Sequence, residues 1–335
     1  MAEDVILEVK DLKTYFFNDK SVLRAVDGVS YTLHKGECMA IIGESGSGKS
    51  VSALSILRLI SYPPGLIVGG EVLLDGENLM EFDDKQLQEV RGARISMIFQ
   101  EPATALNPVM KIGDQIIENI VNHRNLSKQE AREEAIALLS KMGIPSAEKR
   151  MDDYPYQFSG GMQQRAMIAM AMSCKPEVLI ADEPTTALDV TVQAQVLEQL
   201  NQLRQEMGTA LIIITHNLGV VARYADVVRI MYGGRIIEEG GIDEIFANPH
   251  HPYTMGLIRA VPRLDLPRSH GLKAIEGEPP DMSRIPPTCC AFSSRCRYAD
   301  EYCRNHRPNL EPVSTNHSCA CFHQELAIKG REAEA

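Results

Sequence analysis

Residues 38–50 read CMAIIGESGSGKS, which is an apolar run, a glycine-rich loop and a final Lys-Ser pair. The continuous apolar run from Cys38 to Ile42 is typical of a buried strand, and residues 49–60 have a helical pattern. The loop between them matches G-x-x-x-x-G-K-[ST], a pattern that binds nucleotide phosphates when a strand precedes it and a helix follows it. The stretch therefore predicts a phosphate-binding P-loop within an α/β fold.

The chemistry of this loop explains why these residue types are needed. Glycines let successive backbone N–H groups point into one concavity, and the N-terminus of the following helix adds positive potential. Lys49 is expected to reach the β- and γ-phosphates, and the Ser50 hydroxyl is expected to ligate Mg²⁺. A glycine-rich turn with a chance Lys-Ser is the alternative, which the flanking strand and helix disfavour. The residues predicted to bind the nucleotide are Gly43, Ser45, Gly46, Ser47, Gly48, Lys49, Ser50 and Val51.

A pair of acids follows the apolar run from Val178 to Ile180. This run and the one from Leu211 to Ile214 are short and β-branched, as is typical of central strands in a parallel sheet. A buried strand would bring Asp182 to the phosphates, where its carboxylate can hold Mg²⁺ through water. Glu183 could then orient or deprotonate an attacking water. The alternative is an acidic loop after a core strand.

Strands and helices alternate along the chain, which predicts an α/β protein with a parallel sheet. A helix-rich insert is predicted at about 101–173, where a capping box begins at Ser127. Prolines become frequent after His250, and long periodic segments end there. We therefore predict a nucleotide-binding domain over 1–250 and a smaller C-terminal domain over 251–335.

The overall charge limits the possible functions. The chain has 335 residues, with 34 Lys and Arg against 45 Asp and Glu, so its net charge is −11. A protein that binds nucleic acid through general positive charge is therefore not expected. No stretch approaches 18 apolar residues, and the acidic start Met-Ala-Glu-Asp does not fit a signal peptide. Any role at a membrane is expected to depend on a partner.

The string FSGGMQQR at 158–165 resembles the signature motif of the ATP-binding cassette (ABC) family. The motif order agrees with that family: the P-loop, Gln100 after the strand at 95–99, the signature, the paired acids, a D-loop at 187–189 and His216. The resemblance implies a P-loop NTPase fold with a parallel-sheet core, an antiparallel β-subdomain and a helical subdomain. It also implies a head-to-tail dimer in which signature residues of one subunit bind ATP on its partner. These residues are Ser159, Gly160, Gly161 and Gln163.

The resemblance further implies a role for several single residues. Gln100 senses magnesium and the attacking water, His216 contacts the γ-phosphate, and Phe16 stacks on adenine. The catalytic residues are then Glu183, His216 and Gln100, and Mg²⁺ is held through Ser50, Gln100 and Asp182. Taken alone, a Gln, a His or the aromatic run at 15–17 would be structural more often than functional. The chain departs from the family pattern at Phe158, where leucine is usual, and at Asn217, where aspartate is common.

Three strings are similar to the peptide/nickel class of ABC importers: QEPATALNP at 100–108, ADEPTTALDVT at 181–191 and HPYT at 251–254. The resemblance is to the first of the two ATPase subunits of oligopeptide or dipeptide permeases. It implies two membrane permease subunits, a second paralogous ATPase subunit or a homodimer, an extracytoplasmic peptide-binding protein and a peripheral location on the cytoplasmic face of the membrane, with no nucleic acid. The alternatives are a soluble ABC ATPase that acts on nucleic acid or ribosomes, nickel as the cargo, and a metal-binding regulator.

Six of the eight cysteines lie between Cys289 and Cys321. Four of them are spaced C-x5-C-x6-C-x17-C, and four thiolates can hold zinc or an iron–sulfur cluster. The string at 290–296 resembles the tail of cluster-bearing importer ATPases, which implies a 4Fe-4S cluster, with zinc as the alternative, on Cys290, Cys296, Cys303 and Cys321. Cys289 and Cys319 are alternative ligands, and six ordinary thiols are the remaining alternative. His317 and His323 are expected at the surface, and Cys38 and Cys174 in the core.

Overall fold

The computed structural model describes residues 4–18, 21–185, 188–261 and 275–334. The chain forms two compact units from interleaved segments. Unit 1 contains Met1–Glu8, Thr32–Cys38 and Leu73–Ile214, and unit 2 contains Val9–Tyr31, Met39–Val72 and Thr215–Ala335. The predicted boundary near residue 250 stays a prediction, and unit 2 holds residues from both sides of it.

The strands alternate with helices through most of the chain, as the sequence predicts. The strands are β1 (Val5–Asn18), β2 (Ser21–His34), β3 (Cys38–Ile42), β4 (Gly65–Leu74), β5 (Glu77–Asn78), β6 (Ile95–Ile98), β7 (Val178–Asp182), β8 (Ala210–Ile214), β9 (Val227–Tyr232), β10 (Arg235–Gly241), β11 (Glu311–Ser314) and β12 (His317–Cys319). A four-stranded sheet has the order β2-β1-β4-β5, in which β4 and β5 pair antiparallel.

In unit 1, strands β6, β7 and β8 form a parallel array in that order. Ile95 lies opposite Val178, and Val178 lies opposite Ala210. All residues of these three strands are buried, as expected for a parallel sheet covered on both faces. The carboxyl ends of the strands therefore lie at one edge, where ligands of open α/β sheets bind.

In unit 2, the sheet order is β3-β9-β10-β12-β11. Strand β3 is parallel to β9, and β10 pairs antiparallel with both β9 and β12. The last two strands come from the cysteine-rich tail, so the tail extends the sheet of unit 2. This pairing supplies backbone hydrogen bonds to a segment that the sequence predicted to lack a large core of its own.

The helices are α1 (Lys49–Ile56), α2 (Asp84–Val90), α3 (Pro102–Ala105), α4 (Ile112–His123), α5 (Lys128–Lys141), α6 (Ala147–Arg150), α7 (Gly160–Met172), α8 (Val190–Met207), α9 (Leu218–Tyr224), α10 (Ile242–Ala247), α11 (Pro252–Arg259), α12 (Glu301–Asn305) and α13 (Gln324–Glu334). Helices α2–α8 lie in unit 1, where α3–α7 occupy the predicted helix-rich insert, and α1 and α9–α13 lie in unit 2. A short 3₁₀ turn, Pro155–Gln157, precedes α7. Helix α4 buries Ile112, Ile116 and Ile120 at i, i+4 and i+8, and each such side chain contributes about 1.5–3 kcal/mol.

Local sequence signals agree with the structure at the start of α5 and differ from it at the end of α1. The capping box predicted at Ser127 begins α5, with the Ser127 hydroxyl and the Glu130 carboxylate each accepting from the other residue's backbone. The helix predicted over 49–60 was too long: α1 ends at Ile56, and Arg58 has a left-handed φ of 51° that cannot continue a helix. Among the described residues, none of the helices is long and apolar enough to cross a bilayer.

Candidate functional site

The predicted P-loop connects β3 to α1 in unit 2. A side chain on Gly43 would place its Cβ 2.3 Å from the Met231 carbonyl oxygen, and one on Gly48 would place it 2.1 Å from the Ala25 carbonyl oxygen. Both glycines also have positive φ, 156° at Gly43 and 101° at Gly48. Only glycine fits at these two positions, so the pattern read from the sequence has a steric cause.

Lys49 is buried at the first position of α1. Its ammonium donates to the carbonyl oxygens of Gly43 and Glu44, both at 2.8 Å, and therefore lies across the loop. Ser45 and Gly46 are exposed, whereas Ser47 and Gly48 are buried and Ser50 and Val51 are half-buried. The middle of the loop is therefore accessible to a phosphate, and Lys49 reaches the loop from the first turn of α1.

The three aromatic residues near the end of β1 differ in their surroundings. The Tyr15 hydroxyl donates to Asp27 at 2.7 Å, so this residue is already bound. Phe16 is half-buried beside Gly65, where an added Cβ would lie 2.9 Å from the Phe16 ring. Phe17 is 45% exposed. The assignment of adenine stacking to Phe16 stays a prediction.

Gln100, Asp182 and Glu183 lie at the carboxyl ends of β6 and β7 in unit 1. The Gln100 side-chain amide donates to the Glu183 carboxylate at 3.1 Å. Asp182 is the buried last residue of β7, with 5% of its surface exposed. Glu183 has a φ of 46°, which is uncommon for a residue with a side chain, and its N–H donates to the Ile214 carbonyl oxygen at 2.9 Å. The structure thus brings two of the three predicted catalytic residues together.

His216 is exposed and follows β8 by two residues. The next residue, Asn217, caps α9 by accepting from the N–H groups of Gly219 and Val220. Asparagine can do this as well as aspartate. The departure from the family pattern at position 217 therefore keeps the helix cap while removing one negative charge.

The signature residues lie at the N-terminus of α7. The Ser159 hydroxyl caps this helix by accepting from the Met162 N–H at 3.3 Å. Ser159 and Gly160 are exposed, and Gly161 is half-buried. Gln163 donates its side-chain amide to the Pro155 carbonyl oxygen at 2.7 Å, so this amide supports the turn before the helix. In the predicted D-loop, Ala187 lies outside the described residues.

The four predicted cysteine ligands lie near one another in unit 2. The Cys290 N–H donates to the Cys303 carbonyl oxygen at 2.9 Å. Burial raises the pKa of the Cys290 thiol to about 11, and the neighbouring thiols of Cys303 and Cys296 raise that pKa as well. Burial raises the pKa of the Cys321 thiol to about 12, and repulsion from the other three thiols acts in the same direction. All four sulfurs are therefore within electrostatic reach of one another.

The two other cysteines of the tail have different surroundings. Cys289 donates its thiol to the Pro286 carbonyl oxygen at 3.3 Å. Cys319 is fully buried on β12, and burial together with the Glu238 carboxylate raises the pKa of its thiol. A carboxylate beside a sulfur disfavours its thiolate form, which is the form that binds metals.

His317 is not at the surface, so this expectation was wrong. It is 2% exposed, and its Nε2 lies 2.8 Å from the buried Glu238 carboxylate. His323 is half-buried, with its Nε2 3.0 Å from Asp300. Both histidines lie close to carboxylates that are distant in the sequence, so no local pattern predicts these contacts. Cys38 is in the core as expected, whereas Cys174 is half-buried.

Family models match two parts of the chain. Residues 26–186 match the ABC transporter family, and residues 237–303 match the C-terminal region of oligopeptide/dipeptide transporters. A probable peptide ABC transporter ATP-binding protein of Sinorhizobium fredii is 48% identical over 97% of both chains. The oligopeptide transport ATP-binding protein OppD of Bacillus subtilis is 49% identical over 93% of this chain and 87% of its own. 

Solved structures agree with these sequence matches. The dimeric ATP-binding cassette MJ0796 bound to ADP and phosphate has a TM-score of 0.64 at 26% identity, covering 70% of this chain and 98% of that one. The predicted fold is thereby confirmed, and the chain is an ATP-binding cassette ATPase. Within that class it belongs to the family of ATP-binding proteins of oligopeptide and peptide ABC transporters.

Proposed function

We propose that this chain hydrolyses ATP to energise the import of peptides through a membrane ABC transporter. The peptides are oligopeptides or dipeptides. The match to the C-terminal region of oligopeptide/dipeptide transporters and the names of the relatives support this cargo class. The observation that carries the proposal is a groove in unit 1 whose lining includes Phe99, the residue directly before Gln100, and Gln100 donates to Glu183.

The groove has a volume of about 390 Å³ and lies between the end of β6 and helices α4 and α7. Its apolar lining includes Met97, Phe99, Met110, Met167 and Met170. Methionines adapt to partners of different shape, and 38% of the Phe99 surface is exposed.

Phe99 directly precedes Gln100 in the chain. A helix end of a permease seated in this groove would thus contact the residue next to the amide that holds Glu183. We assign the groove to a permease subunit for this reason.

The remaining partners follow from the same proposal. Two permease subunits would bind two ATPase subunits, of which the second is a paralogue or a second copy of this chain. An extracytoplasmic peptide-binding protein would deliver the cargo. The chain would then lie peripherally on the cytoplasmic face of the membrane.

The nucleotide residues divide into those of unit 2 and those of unit 1. In unit 2, the P-loop would bind the phosphates of ATP, Lys49 would neutralise the β- and γ-phosphates, His216 would contact the γ-phosphate and Phe16 would stack on adenine. In unit 1, Glu183 would act as general base for water, positioned by its bond from Gln100.

Hard oxygen donors suit Mg²⁺, and Ser50, Gln100 and Asp182 offer a hydroxyl, an amide oxygen and a carboxylate. A bound Mg²⁺ would neutralise charge that develops on the phosphates.

The exposed signature turn would bind the ATP of a partner subunit. Ser159, Gly160 and Gly161 stand at the N-terminus of α7, where backbone N–H groups favour an anion. Gln163 would stabilise this turn through its bond to Pro155. The comparison cassette MJ0796 is described as dimeric with ADP and phosphate bound, which supports a dimeric arrangement for this class.

Co-purification from native membranes tests the importer proposal. Tagged wild-type chain should recover two permeases and a second ATPase, and Met110→Arg in the groove should lose the permeases while ATP binding is retained. Tyr62→Arg, at a residue that is 75% exposed in unit 2, is the matched control and should recover the same partners. Recovery of soluble partners alone with the wild-type chain would contradict the proposal.

We further propose that Cys290, Cys296, Cys303 and Cys321 hold a 4Fe-4S cluster. Among the described residues, no three of these sulfurs lie within 4.8 Å of one another. The Cys303 sulfur instead lies within 4.8 Å of ligand atoms of Asp300 and His323, so the four-thiolate assignment rests on the resemblance of the 290–296 string and on the fitness of four thiolates for a cluster. A bound centre would supply folding free energy to a tail that has a small core.

Iron and acid-labile sulfide assays on anaerobically purified protein test this assignment. About four irons per chain are expected, with loss in Cys296→Ser and retention in Cys174→Ser, where the cysteine lies in unit 1. Stoichiometric zinc without iron would favour the alternative metal, and a chain free of both would contradict a metal centre.

A further inference from the structure

The second residue of the P-loop, Glu44, is bound by the C-terminal region at two points. Its backbone N–H donates to the phenolic oxygen of Tyr253 at 2.8 Å. Its carboxylate accepts from both terminal nitrogens of Arg295, from Nη1 at 2.6 Å and from Nη2 at 3.1 Å. This two-bond geometry gives arginine–carboxylate pairs both strength and a defined orientation. All three residues belong to unit 2.

Arg295 is itself held in place from several sides. Its side chain is 4% exposed, and its Nε donates to the Glu276 carbonyl oxygen at 3.0 Å. The guanidinium lies 6.0 Å from the Tyr232 ring centroid and 5.9 Å from that of Phe292. Burial lowers the pKa of Arg295, but its bonds to Glu44 and Tyr232 raise that pKa above its ordinary value. The guanidinium is therefore a fixed positive charge that faces Glu44.

Glu44 is in contact with the groups that form the phosphate cradle. Its carbonyl oxygen accepts from the Lys49 ammonium at 2.8 Å and from the Ser47 N–H at 3.2 Å. A displacement of Glu44 would therefore move the lysine and the turn of the loop. An unpaired Glu44 carboxylate would also repel the phosphates, because like charges repel strongly where solvent access is limited.

A cavity of about 260 Å³ beside the loop shows how close the C-terminal segment comes to the cradle. It is lined by the loop residues 44–47 on one side and by Pro279, Pro280 and Met282 on the other. The segment after residue 275 thus borders the phosphate-binding loop over several residues. The Arg295–Glu44 pair is a charged contact between the same segment and the loop.

We propose that Arg295 is a positioning residue of the nucleotide site, which pairs with Glu44 so that the P-loop keeps the shape and charge needed to bind ATP. The cysteine-bearing segment, in which Arg295 lies between Cys290 and Cys296, thereby sets the ATP affinity of the cassette. The inference rests on ATP binding by the P-loop and is independent of the peptide cargo and of the metal centre.

Steady-state ATP hydrolysis by the full-length chain tests this role. Arg295→Met is expected to raise KM for ATP about tenfold, the size of one lost charge-assisted pair, with kcat within about twofold. KM should change and kcat should not, because the pair supports ATP binding equally in the ground state and the transition state. Arg284→Met is the matched control, since Arg284 is 86% exposed and pairs with Asp281 at the surface. Its KM should match that of the wild-type chain.

Because Arg295→Met also removes a pair that supports folding, Glu44→Gln provides a second route. In a Glu44→Gln background the partner charge is absent, so adding Arg295→Met should change KM by less than about threefold. Arg295→Lys should recover part of the affinity, since lysine restores the charge but not the two-bond geometry. Titration with a fluorescent ATP analogue should give the same ranking of dissociation constants.

Two results would overturn the proposal. One is a folded Arg295→Met chain with wild-type KM, and the other is an undiminished effect of Arg295→Met in the Glu44→Gln background. Failure of the ATPase assignment is recognised separately, because the wild-type chain itself would then bind no ATP analogue.

Discussion

The buried carboxylate of Glu238 joins three segments of unit 2, and replacing it with glutamine should loosen all of them. One oxygen accepts from the His250 N–H at 2.5 Å and from the His317 Nε2 at 2.8 Å, and the other accepts from the His251 N–H at 3.0 Å. Glu238 lies on β10, His250 and His251 precede α11, and His317 begins β12. A neutral amide of the same shape cannot accept from all three donors.

The cost of Glu238→Gln can be estimated from these contacts. The amide NH₂ must face at least one donor, and a buried donor without a partner costs about 1–3 kcal/mol. The hydrogen bonds that remain lose the charge of their acceptor, which removes about another 1 kcal/mol. A local loss of about 3 kcal/mol follows, which corresponds to a roughly 100-fold change in the opening equilibrium.

Hydrogen–deuterium exchange reads this change directly, because the His250 and His251 N–H groups are themselves donors to Glu238. Their exchange should be roughly 100-fold faster in Glu238→Gln. Glu311→Gln is the control, since Glu311 is exposed on β11 of the same sheet. In this variant the His250 and His251 N–H groups should exchange within twofold of their wild-type rates. Unchanged exchange of both amides in Glu238→Gln would refute the assigned role of this carboxylate.

Three further changes test the site and its surroundings. Glu183→Gln should lower kcat for ATP hydrolysis at least about 100-fold with ATP affinity retained, and undiminished turnover would exclude Glu183 as the base. Gly48→Ala should weaken both folding and ATP binding, because the added Cβ would lie 2.1 Å from the Ala25 carbonyl oxygen. Gly76→Ala is the control, since Gly76 has a similar φ and an added Cβ would meet no atom within 4 Å; it should lower the free energy of unfolding by only about 1 kcal/mol in thermal unfolding. Burial lowers the pKa of His251 from 6.5 to about 4, so the unfolded chain takes up a proton first as the pH falls. The wild-type chain should therefore lose about 2 kcal/mol of unfolding free energy between pH 7 and pH 5. His251→Asn, which keeps a capping side chain, should lose less, and equal losses in denaturant titrations would contradict this assignment.

The sequence was sufficient wherever a function depends on the backbone of one short segment. The P-loop is such a case, because its glycines avoid clashes that any side chain would create at 43 and 48. The cap of α5 at Ser127 is another, since both partners lie three residues apart. The buried strands β7 and β8 also follow from their composition alone.

Residues whose role depends on a distant partner were predicted less well. His317 was expected at the surface, but it is buried against Glu238, which is 79 residues away in the chain. The bond from the Tyr15 hydroxyl to Asp27, 12 residues along the chain, is likewise seen only in the structure. Nothing near either residue in the sequence reports these contacts.

The contact between Arg295 and Glu44 is the clearest case of an interaction that local sequence does not predict. Local sequence predicted the phosphate-binding loop, the paired acids and the signature, because each pattern is made within a few consecutive residues. Folding decided that an arginine 251 positions away neutralises the loop's own glutamate. The pair forms because the fold of unit 2 places its C-terminal segment beside its P-loop, and burial makes an unpaired charge there unfavourable.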